Sequence, residues 1–419
     1  MGEKEKNQLR EENRPIVFIT SFPPRKCGIA TFAEEAIEFI KKHEKNRQIY
    51  IISHTDGRGK NVFPIIDMKK KKWYEAVYKK IKELNPYVIH LEHEYALYMY
   101  FDKKGIADDD KGFLKLMGLL KDYPTVVELH TVHGRLRGFE EKFLRELEKK
   151  STILIFKCEY QRWRFSWTFS GERSEMPHNI VIIPHGARPD KLSYNRNAKK
   201  NLKIKALQGK KVLGLLGWVQ PNKKWDIIMS IWPKMHERIK KKTGEEWILF
   251  CAGTTRVREH LPIMREYKRE LKELERKKTA YFYDFLPRGE QYYRVMAACD
   301  AVALPSLDET QSGTLARIIA LGKPYITTAP MEGLTSQTIS GEGGLLFCDM
   351  KTLTRNLFRL CTSKKLREKL SKNQIKFLKE EVSWDIVAKQ YLRTYKIAEK
   401  SKRLKKKIFI EDEFYGNNI

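Results

Sequence analysis

Residues 304–324 read LPSLDETQSGTLARIIALGKP, and this order of apolar and polar residues predicts a strand, a loop and a helix. Ser312 and Gly313 open the predicted helix, and Gly322 follows its end. The first turn of a helix presents unpaired backbone N–H groups and the positive end of its dipole, so a phosphate can bind there when the residues are small. Glu309, just before the helix, could accept hydrogen bonds from sugar hydroxyls. The segment alone fits a nucleotide-sugar site and an ordinary Ser-capped helix equally well.

Short apolar strands alternate with helical segments along the whole chain, in two series. The first series comprises residues 16–21, 50–53, 88–91, 126–129, 153–156 and 180–183. The second series comprises residues 212–217, 247–251, 281–283, 301–304, 325–327 and 345–347. Several of these runs are continuously apolar, as buried parallel strands are. The pattern predicts an α/β protein with two doubly wound, Rossmann-like domains.

The sequence predicts the domain boundaries and argues against a zinc site, a disulfide framework and a membrane-spanning segment. A loose N-terminus is expected over residues 1–14, an N-terminal domain over 15–195, a C-terminal domain over 196–382, and a final helix with a tail over 383–419. Six cysteines without a C-x-x-C pair indicate neither a zinc site nor a disulfide framework. No apolar run approaches the ~18 residues that cross a bilayer, and the first residues are charged, so a cytoplasmic location is expected.

The formal net charge of +29 favours anionic partners, which include nucleotide-sugars, nucleic acid and the acidic face of a membrane. A bias toward lysine on solvated faces explains the same charge equally well. The aromatic residues are not interleaved with basic residues in a recognised RNA or DNA motif, so no specific nucleic acid is expected.

One basic amphipathic stretch could bind a membrane. Within residues 68–84, Trp73, Val77 and Ile81 share one helical face that lysines flank. Such a helix can lie on an anionic membrane, which would make the protein peripheral at the inner membrane surface, or it can pack its apolar face on a sheet. The second arrangement is favoured here.

Six segments, taken in order, resemble family 4 retaining glycosyltransferases of the GT-B fold, and the first of them resembles a mannosyltransferase-like subgroup. They are TSFPPRKCGIATF at 20–32, HLEHEY at 90–95, VVELHTVHG at 126–134, IPHGA at 183–187, LLGWVQPNKKWDIIMSIWPKM at 215–235, and residues 304–324 quoted above. The resemblance implies that the two Rossmann-like domains face each other across a cleft. The N-terminal domain would be the acceptor side and the C-terminal domain the donor side, with the last helix crossing back to the N-terminal domain.

The activity implied by this resemblance is a hexosyltransferase reaction that retains the anomeric configuration. The donor would be a nucleotide-diphosphate sugar, with GDP-mannose and a UDP-sugar as candidates, and the acceptor a glycan, a lipid or a small molecule. No other cofactor and no metal is expected. Asp108 and Asp110 form a D-x-D pair, the metal motif of another glycosyltransferase fold, but they precede a helical pattern and are predicted to cap it.

The resemblance also assigns roles to particular residues. Lys223 would neutralise the departing diphosphate, while His130 and Glu309 would orient the sugar. The remaining donor-binding candidates are Gly28, Ser312, Gly313, Thr314, Leu315 and Arg317. The candidates for the acceptor or phosphate side, which follow predicted strands, are Arg25, His93 and Glu94.

Three positions depart from the family pattern. Trp218 and Lys224 stand where an arginine and a glycine are usual, and Arg317 replaces the second glutamate of the usual pair, which binds ribose. An arginine cannot accept a hydrogen bond from ribose. Three interpretations follow: Arg317 binds phosphate, which is favoured, or the donor differs, or the site is degenerate. In the last case the chain would be a non-catalytic protein that binds a nucleotide-sugar, nucleic acid or an anionic surface.

Overall fold

The computed structural model describes residues 14–102, 104–105, 107–108, 110–133, 136, 138–169, 177–307, 312–330 and 332–405. The described residues form two compact units. The first runs up to Pro184 and resumes at Trp384, and the second is His185–Ser383. Within the described part of the chain, no helix is long and apolar enough to cross a membrane. Glu309 lies outside the described residues.

The first unit contains a sheet of seven parallel strands in the order β3-β2-β1-β4-β5-β6-β7. The strands are β1 Ile16–Thr20, β2 Ile49–His54, β3 Val62–Ile66, β4 Val88–His93, β5 Thr125–Leu129, β6 Ile153–Phe156 and β7 Ile180–Ile182. Its helices are α1 Gly28–His43, α2 Trp73–Leu84, α3 Tyr95–Tyr98, α4 Lys111–Leu119, α5 Gly138–Lys150 and α6 Glu159–Ser166. The chain order reverses between β1 and β4, and ligands of doubly wound sheets bind beyond the strand ends at such a point.

Strand β3 was not among the predicted strands. Its sequence, VFPII, contains Pro64, which cannot donate a hydrogen bond to a ladder and is tolerated at a sheet edge. Among the described residues, β3 pairs with β2 alone and lies at the edge of the sheet. The pairing of β3 with β2 therefore depends on tertiary structure, and the local sequence pattern did not predict it.

Helix α2 packs its apolar face into the first unit. Trp73, Val77 and Ile81 are buried in the same apolar cluster as residues of the sheet. This face is not available for a membrane, which agrees with the arrangement that the sequence favoured for this stretch.

The second unit contains six parallel strands in the order β10-β9-β8-β11-β12-β13. The strands are β8 Lys211–Leu216, β9 Trp247–Ala252, β10 Ala280–Tyr283, β11 Ala301–Leu304, β12 Tyr325–Thr328 and β13 Gly344–Phe347. Its α-helices are α7 Ala198–Leu202, α8 Trp225–Thr243, α9 Leu261–Arg276, α10 Gly289–Ala297, α11 Gly313–Ala320, α12 Glu332–Gly341, α13 Met350–Thr362 and α14 Lys364–Phe377. The chain order reverses between β8 and β11.

The second unit begins at His185, upstream of the expected boundary between residues 195 and 196. Leu192 and Tyr194, in the 3-10 helix Pro189–Asn195, pack against its apolar core. These apolar contacts assign the segment to the second unit although its sequence is polar.

The last described helix, α15 Trp384–Leu404, packs in the first unit. Val387 and Tyr391 are fully buried in the cluster that contains strand β1, and the indole N–H of Trp384 donates to Oε2 of Glu35 at 3.0 Å. The helix thereby covers one face of the first sheet.

Candidate functional site

The loops that follow β8 and β11 are in direct contact. The backbone N–H of Leu307 donates to the carbonyl oxygen of Asn222 at 2.9 Å. Because β8 and β11 are neighbours at the point where the chain order reverses, both loops start at the same edge of the sheet. The contact brings the segment of Lys223 beside the segment that leads to α11.

The N-terminus of α11 is capped by Ser312, as the sequence predicted. The Ser312 Oγ accepts a hydrogen bond from the backbone N–H of Leu315 at 3.3 Å, and Ser312 is buried. Gly313 and Thr314 are partly exposed, whereas the Leu315 side chain is buried in the core. The backbone N–H groups at such a helix start can bind an anion, and that of Leu315 also donates to the Ser312 cap.

A glycine makes room for this helix start. Gly217, directly after β8, has a φ of +124°, and a Cβ added there would lie 2.8 Å from the hydroxyl of Tyr292 and 3.3 Å from Oγ1 of Thr314. The two hydroxyl groups are hydrogen-bonded to each other at 2.8 Å. Backbone conformation and close packing thus both require glycine at position 217.

Arg317 places its positive charge at the same helix start. Side chains of a helix lean toward its N-terminus, and Nη1 of Arg317 donates to the carbonyl oxygen of Gly313 at 2.8 Å. The guanidinium carbon lies 5.1 Å and 5.4 Å from the ring centroids of Tyr292 and Tyr293. Arg317 is 8% exposed, so its charge acts from beneath the first turn. The positive charge of Arg317 therefore lies close to the start of α11.

Lys223 ends a short 3-10 turn, Pro221–Lys223, and is partly exposed. Its backbone N–H donates to the carbonyl oxygen of Gln220 at 3.1 Å, which fixes the turn. Lys224, which follows, adopts the left-handed conformation and is the N-cap of α8. That conformation explains why glycine is usual at the position of Lys224, and the structure accommodates a lysine there with a φ of +49°.

The second group of candidates lies in the first unit, around His130. The ring Nε2 of His130 is hydrogen-bonded to Oε2 of Glu92, and the backbone N–H of His130 donates to the carbonyl oxygen of His93 at 3.1 Å. The ring of Phe32 meets the His130 ring edge-on, with 4.8 Å between the centroids. His130 is 8% exposed, so it lies at the margin of the core with its orientation fixed by Glu92.

Behind His130 lies a buried network of ionisable groups that the sequence analysis did not identify. Glu92 on β4 and Glu128 on β5 are register partners, so their side chains lie on the same face. His90 contacts both carboxylates, with Nε2 at 2.9 Å from Oε2 of Glu128 and 3.8 Å from Oε1 of Glu92. Lys157 contacts Oε1 of Glu128 and lies 4.4 Å from the ring centroid of Phe32. Two carboxylates thus face several cationic or proton-donating groups in the interior.

Burial controls the protonation of this network. It lowers the pKa of His90 to about 4 and that of Lys157 to about 7, because the interior disfavours the charged form of each. The negative charge of Glu92 opposes this lowering of the Lys157 pKa. Burial would raise the pKa of Glu92, but His130 and the neighbouring cations outweigh it and lower that pKa below its usual value. We therefore describe Glu92 as an ionised carboxylate paired with His130.

His90, Glu92 and Glu128 are close enough to be compared with a metal site, since one potential ligand atom from each lies within 4.8 Å of the others. Oε2 of Glu92, however, already binds His130, and Oε1 of Glu128 already binds Lys157 and the hydroxyl of Tyr391. A cation would have to displace the ammonium group of Lys157. The donor set is that of an internal ion network, and we assign no metal to it.

His93 was expected to follow a strand that ended at residue 91, but it is the last residue of β4 and lies in the core. It is fully buried, with its ring 4.8 Å from the Phe143 and Phe113 centroids and close to Tyr98. Neither ring nitrogen has a hydrogen-bond partner among the described residues, and burial lowers the His93 pKa to about 3. His93 packs as a neutral aromatic ring, because it is the last residue of β4 and points into the core.

The other first-unit candidates lie in loops at strand ends. Arg25 forms an ion pair with Asp56 at 3.3 Å, and Oε2 of Glu94 accepts a hydrogen bond from Thr131 at 2.5 Å. Gly28 begins α1, and a Cβ added there would meet nothing within 4 Å. The chain itself does not require glycine at position 28, and the space beside it is open to a ligand.

Of the two aspartates in the D-x-D pair, only the side chain of Asp108 caps the following helix as the sequence predicted. Oδ2 of Asp108 accepts from the backbone N–H of Gly112 at 3.3 Å, in the first turn of α4, and its Oδ1 accepts from Tyr100. Asp110 is the N-cap residue of α4, in the left-handed conformation, and makes no side-chain cap hydrogen bond.

Comparison with known proteins bears on the fold of this chain. Residues 210–363 match the family described as glycosyl transferases group 1. No curated protein sequence matches the chain.

Among solved structures, Alr3699/HepE from Anabaena in complex with UDP and glucose superimposes with a TM-score of 0.64, at 15% identity, over 92% of this chain and 100% of that one. Sucrose-phosphate synthase from Thermosynechococcus elongatus gives a TM-score of 0.67 at 14% identity, over 92% and 98%. A glycosyltransferase from Rickettsia africae gives 0.66 at 12% identity, over 92% and 98%. The predicted GT-B fold with two Rossmann-like domains is confirmed, and the matched family segment lies in the second unit.

Proposed function

We propose that this chain is a glycosyltransferase that moves a hexose from a nucleotide-diphosphate sugar to a glycan, a lipid or a small acceptor, with retention of the anomeric configuration. The observation that carries the proposal is the Ser312-capped start of α11, which lies beside the loop of Lys223 where the chain order of the second sheet reverses. The match of residues 210–363 to glycosyl transferases group 1 supports it.

The chemistry follows from where negative charge develops. When the bond between the anomeric carbon and the phosphate oxygen breaks, the diphosphate gains charge. Backbone N–H groups of Gly313 and Thr314, the ammonium group of Lys223 and the underlying guanidinium of Arg317 would stabilise that charge, because they are fixed before the reaction begins. The leaving phosphate oxygen would take the proton of the acceptor hydroxyl on the same face of the sugar, so that neither a metal nor a separate base is needed.

The sugar is oriented in this proposal by Glu309 and by His130, whose ring Glu92 holds in place. UDP-glucose is the first donor to test, because Alr3699/HepE was solved with UDP and glucose. GDP-mannose is the second, because the loop of residues 20–32 resembles a mannosyltransferase-like subgroup. Gly28 is proposed to serve the donor, and Arg25 and Glu94 are proposed to serve the acceptor or phosphate side.

The decisive experiment incubates the full chain with each donor, with and without a chelator, and measures how much donor is hydrolysed or transferred to an acceptor. Activity that survives the chelator is expected, and activity that manganese alone restores would contradict the metal-independent reaction. Lys223→Ala and Glu309→Ala should each lower turnover about a hundredfold. Lys234→Ala removes an exposed lysine from α8 of the same unit and should leave turnover unchanged, which controls for the loss of one surface charge.

Binding must be measured separately from turnover. A donor that binds the folded chain raises its melting temperature by mass action. A thermal shift without any turnover would contradict the enzymatic proposal. It would support the alternative raised by Arg317, in which the chain binds a nucleotide-sugar without catalysing transfer.

A further inference from the structure

Helix α6 and the first residue of the 3-10 helix Trp167–Phe169 that continues it expose three large aromatic side chains on one face. Tyr160, Trp163 and Trp167 are 41%, 48% and 59% exposed, and we call them the aromatic stripe. Their spacing of three and four positions places them one above another on a helical surface. The ring centroids of Tyr160 and Trp163 are 5.7 Å apart, and those of Trp163 and Trp167 are 5.5 Å apart. The three rings therefore form one continuous apolar surface.

The opposite face of α6 anchors the helix in the first unit. Gln161 and Phe165 are fully buried, the Phe165 ring packs edge-on against Phe156 of β6, and Oε1 of Gln161 accepts from the backbone N–H of Lys157. The aromatic stripe is thus presented on a helix that is held firmly. Contiguous exposed aromatic surface on a protein commonly marks an interaction site.

Positive charge accompanies the aromatic stripe. Arg164 lies four positions after Tyr160 and three before Trp167, and it has no ion-pair partner among the described residues. Arg162 also belongs to α6 but is paired with Glu159 at 2.8 Å. The whole chain carries a formal charge of +29. A partner for this face should therefore combine an apolar layer with negative charge.

The ring geometry distinguishes among such partners. The planes of Tyr160 and Trp163 are inclined by 36°, and those of Trp163 and Trp167 by 67°. Stacking of nucleobases or sugar rings needs the flat face of an aromatic ring, and these inclined rings form no common platform. A lipid interface makes no such demand, because tryptophan and tyrosine rings there lie among the headgroups with their apolar parts toward the acyl chains.

We propose that the aromatic stripe and Arg164 form a surface on which the protein docks to an anionic lipid bilayer. Trp163 and Trp167 would enter the headgroup region, and Arg164 would stay with the phosphates, as long basic side chains do at membrane interfaces. Basic residues near an anionic membrane are attracted to it, so the aromatic stripe determines where the chain docks and the positive charge of the chain adds to the affinity. The surface is distinct from the buried face of α2.

The test is sedimentation of the full chain with vesicles of phosphatidylcholine alone or of phosphatidylcholine with phosphatidylglycerol. We expect binding to the anionic vesicles that falls as salt is raised, because salt screens the charge. The double substitution Trp163→Ser with Trp167→Ser should weaken this binding about tenfold or more, and Arg164→Gln should weaken it less. Val257→Ser, which removes an exposed apolar side chain of the second unit that is 41% exposed, should bind like the native chain.

Equal binding by the native chain and the double variant would overturn the proposal, and so would native binding that does not depend on the anionic lipid. Binding of a soluble glycan or of RNA that the double variant loses, without vesicle binding, would assign the stripe to that partner instead. Self-association that the double variant abolishes, again without vesicle binding, would assign it to a second copy of the chain. Melting temperatures of both variants, which should match the native value because the side chains are exposed, show that folding is intact.

Discussion

The hydroxyl of Tyr391 donates a hydrogen bond of 2.6 Å to Oε1 of Glu128, although the two residues are 263 positions apart in the sequence. On the same helix, the Tyr395 hydroxyl lies 2.7 Å from Nδ1 of His90. Helix α15 therefore completes the buried network of the first unit from outside its sheet. Through Glu92, the same network fixes the ring of His130.

Tyr391→Phe should destabilise the first unit. The substitution keeps the ring but removes a donor from a buried carboxylate, and leaving such a group short of a partner costs about 1 to 3 kcal/mol of unfolding free energy. Urea unfolding would measure the loss. Tyr78→Phe is the matched control, because the Tyr78 hydroxyl makes no hydrogen bond among the described residues, and equal stability of the two variants would contradict the role given to Tyr391.

The stability of the first unit should fall in acid because of its buried histidines. Burial lowers the pKa of His54 and of His90 to about 4 and that of His93 to about 3, each from 6.5. The unfolded chain binds protons on these residues below about pH 6.5, and the folded unit binds them only near pH 4 to 3. Between those limits the unfolded state carries more protons, so stability decreases as the pH falls, by up to about 1.4 kcal/mol per pH unit for each histidine.

His93→Leu tests one residue of this set, because the leucine cannot take up a proton. Urea unfolding from pH 6.5 to 4.5 should show a pH slope that is smaller by about one proton than that of the native chain. His260→Leu, at a half-buried position of the second unit, controls for the removal of a histidine. An unchanged slope in His93→Leu would show that His93 is already accessible to protons in the folded state.

Ser312→Ala should weaken nucleotide binding as well as stability. It removes the cap hydrogen bond to Leu315, which costs about 1 kcal/mol, and it loosens the helix start that would hold the phosphates. Ser363→Ala is a closely matched control, because Ser363 caps α14 of the same unit by accepting from Leu366 at 3.2 Å. Both variants should lose similar stability, but only Ser312→Ala should bind UDP or GDP less tightly in calorimetry. Equal affinities would remove the helix start from the donor site.

Arg317→Glu restores the usual family residue and should nevertheless weaken donor binding. The guanidinium lies between Tyr292 and Tyr293 and donates to Gly313, so a carboxylate there would face the same carbonyl oxygen and repel a phosphate at the helix start. Loss of a charge-assisted interaction costs about 1.5 to 3 kcal/mol, or tenfold or more in affinity. Calorimetry against Arg317→Gln separates repulsion from simple loss of charge. Tighter binding by Arg317→Glu would instead support a site that has lost ribose recognition.

Several features of the candidate site were visible in the sequence, and others depended on long-range contacts. The cap at Ser312 is local, so residue types and spacing predicted it. Glu92 and Glu128 lay in the segments HLEHEY and VVELHTVHG, but their importance arises from being register partners on neighbouring strands. Two carboxylates at equivalent places in adjacent strands were the signal that could have revealed the network.

His93 and Arg317 show why side-chain environment could not be predicted. Both were correctly placed near strand or helix ends, yet His93 turned out to be enclosed by aromatic rings contributed by α4 and α5. Arg317 is covered by two tyrosines of α10. The burial of a side chain depends on elements that are remote in sequence, and a local sequence pattern cannot predict contacts with them.

The sequence by itself determined the alternation of strands and helices, the two Rossmann-like sheets and the small-residue helix start after β11, because hydrophobic periodicity and capping act over a few neighbouring residues. Only the tertiary structure decided that β3 joins the sheet edge, that a tyrosine of α15 donates to the buried network, and that two buried glutamates, a lysine and two histidines form this network. These outcomes depend on pairing and desolvation between distant segments, and the free energy of a buried charge is set by the partners that the fold brings to it.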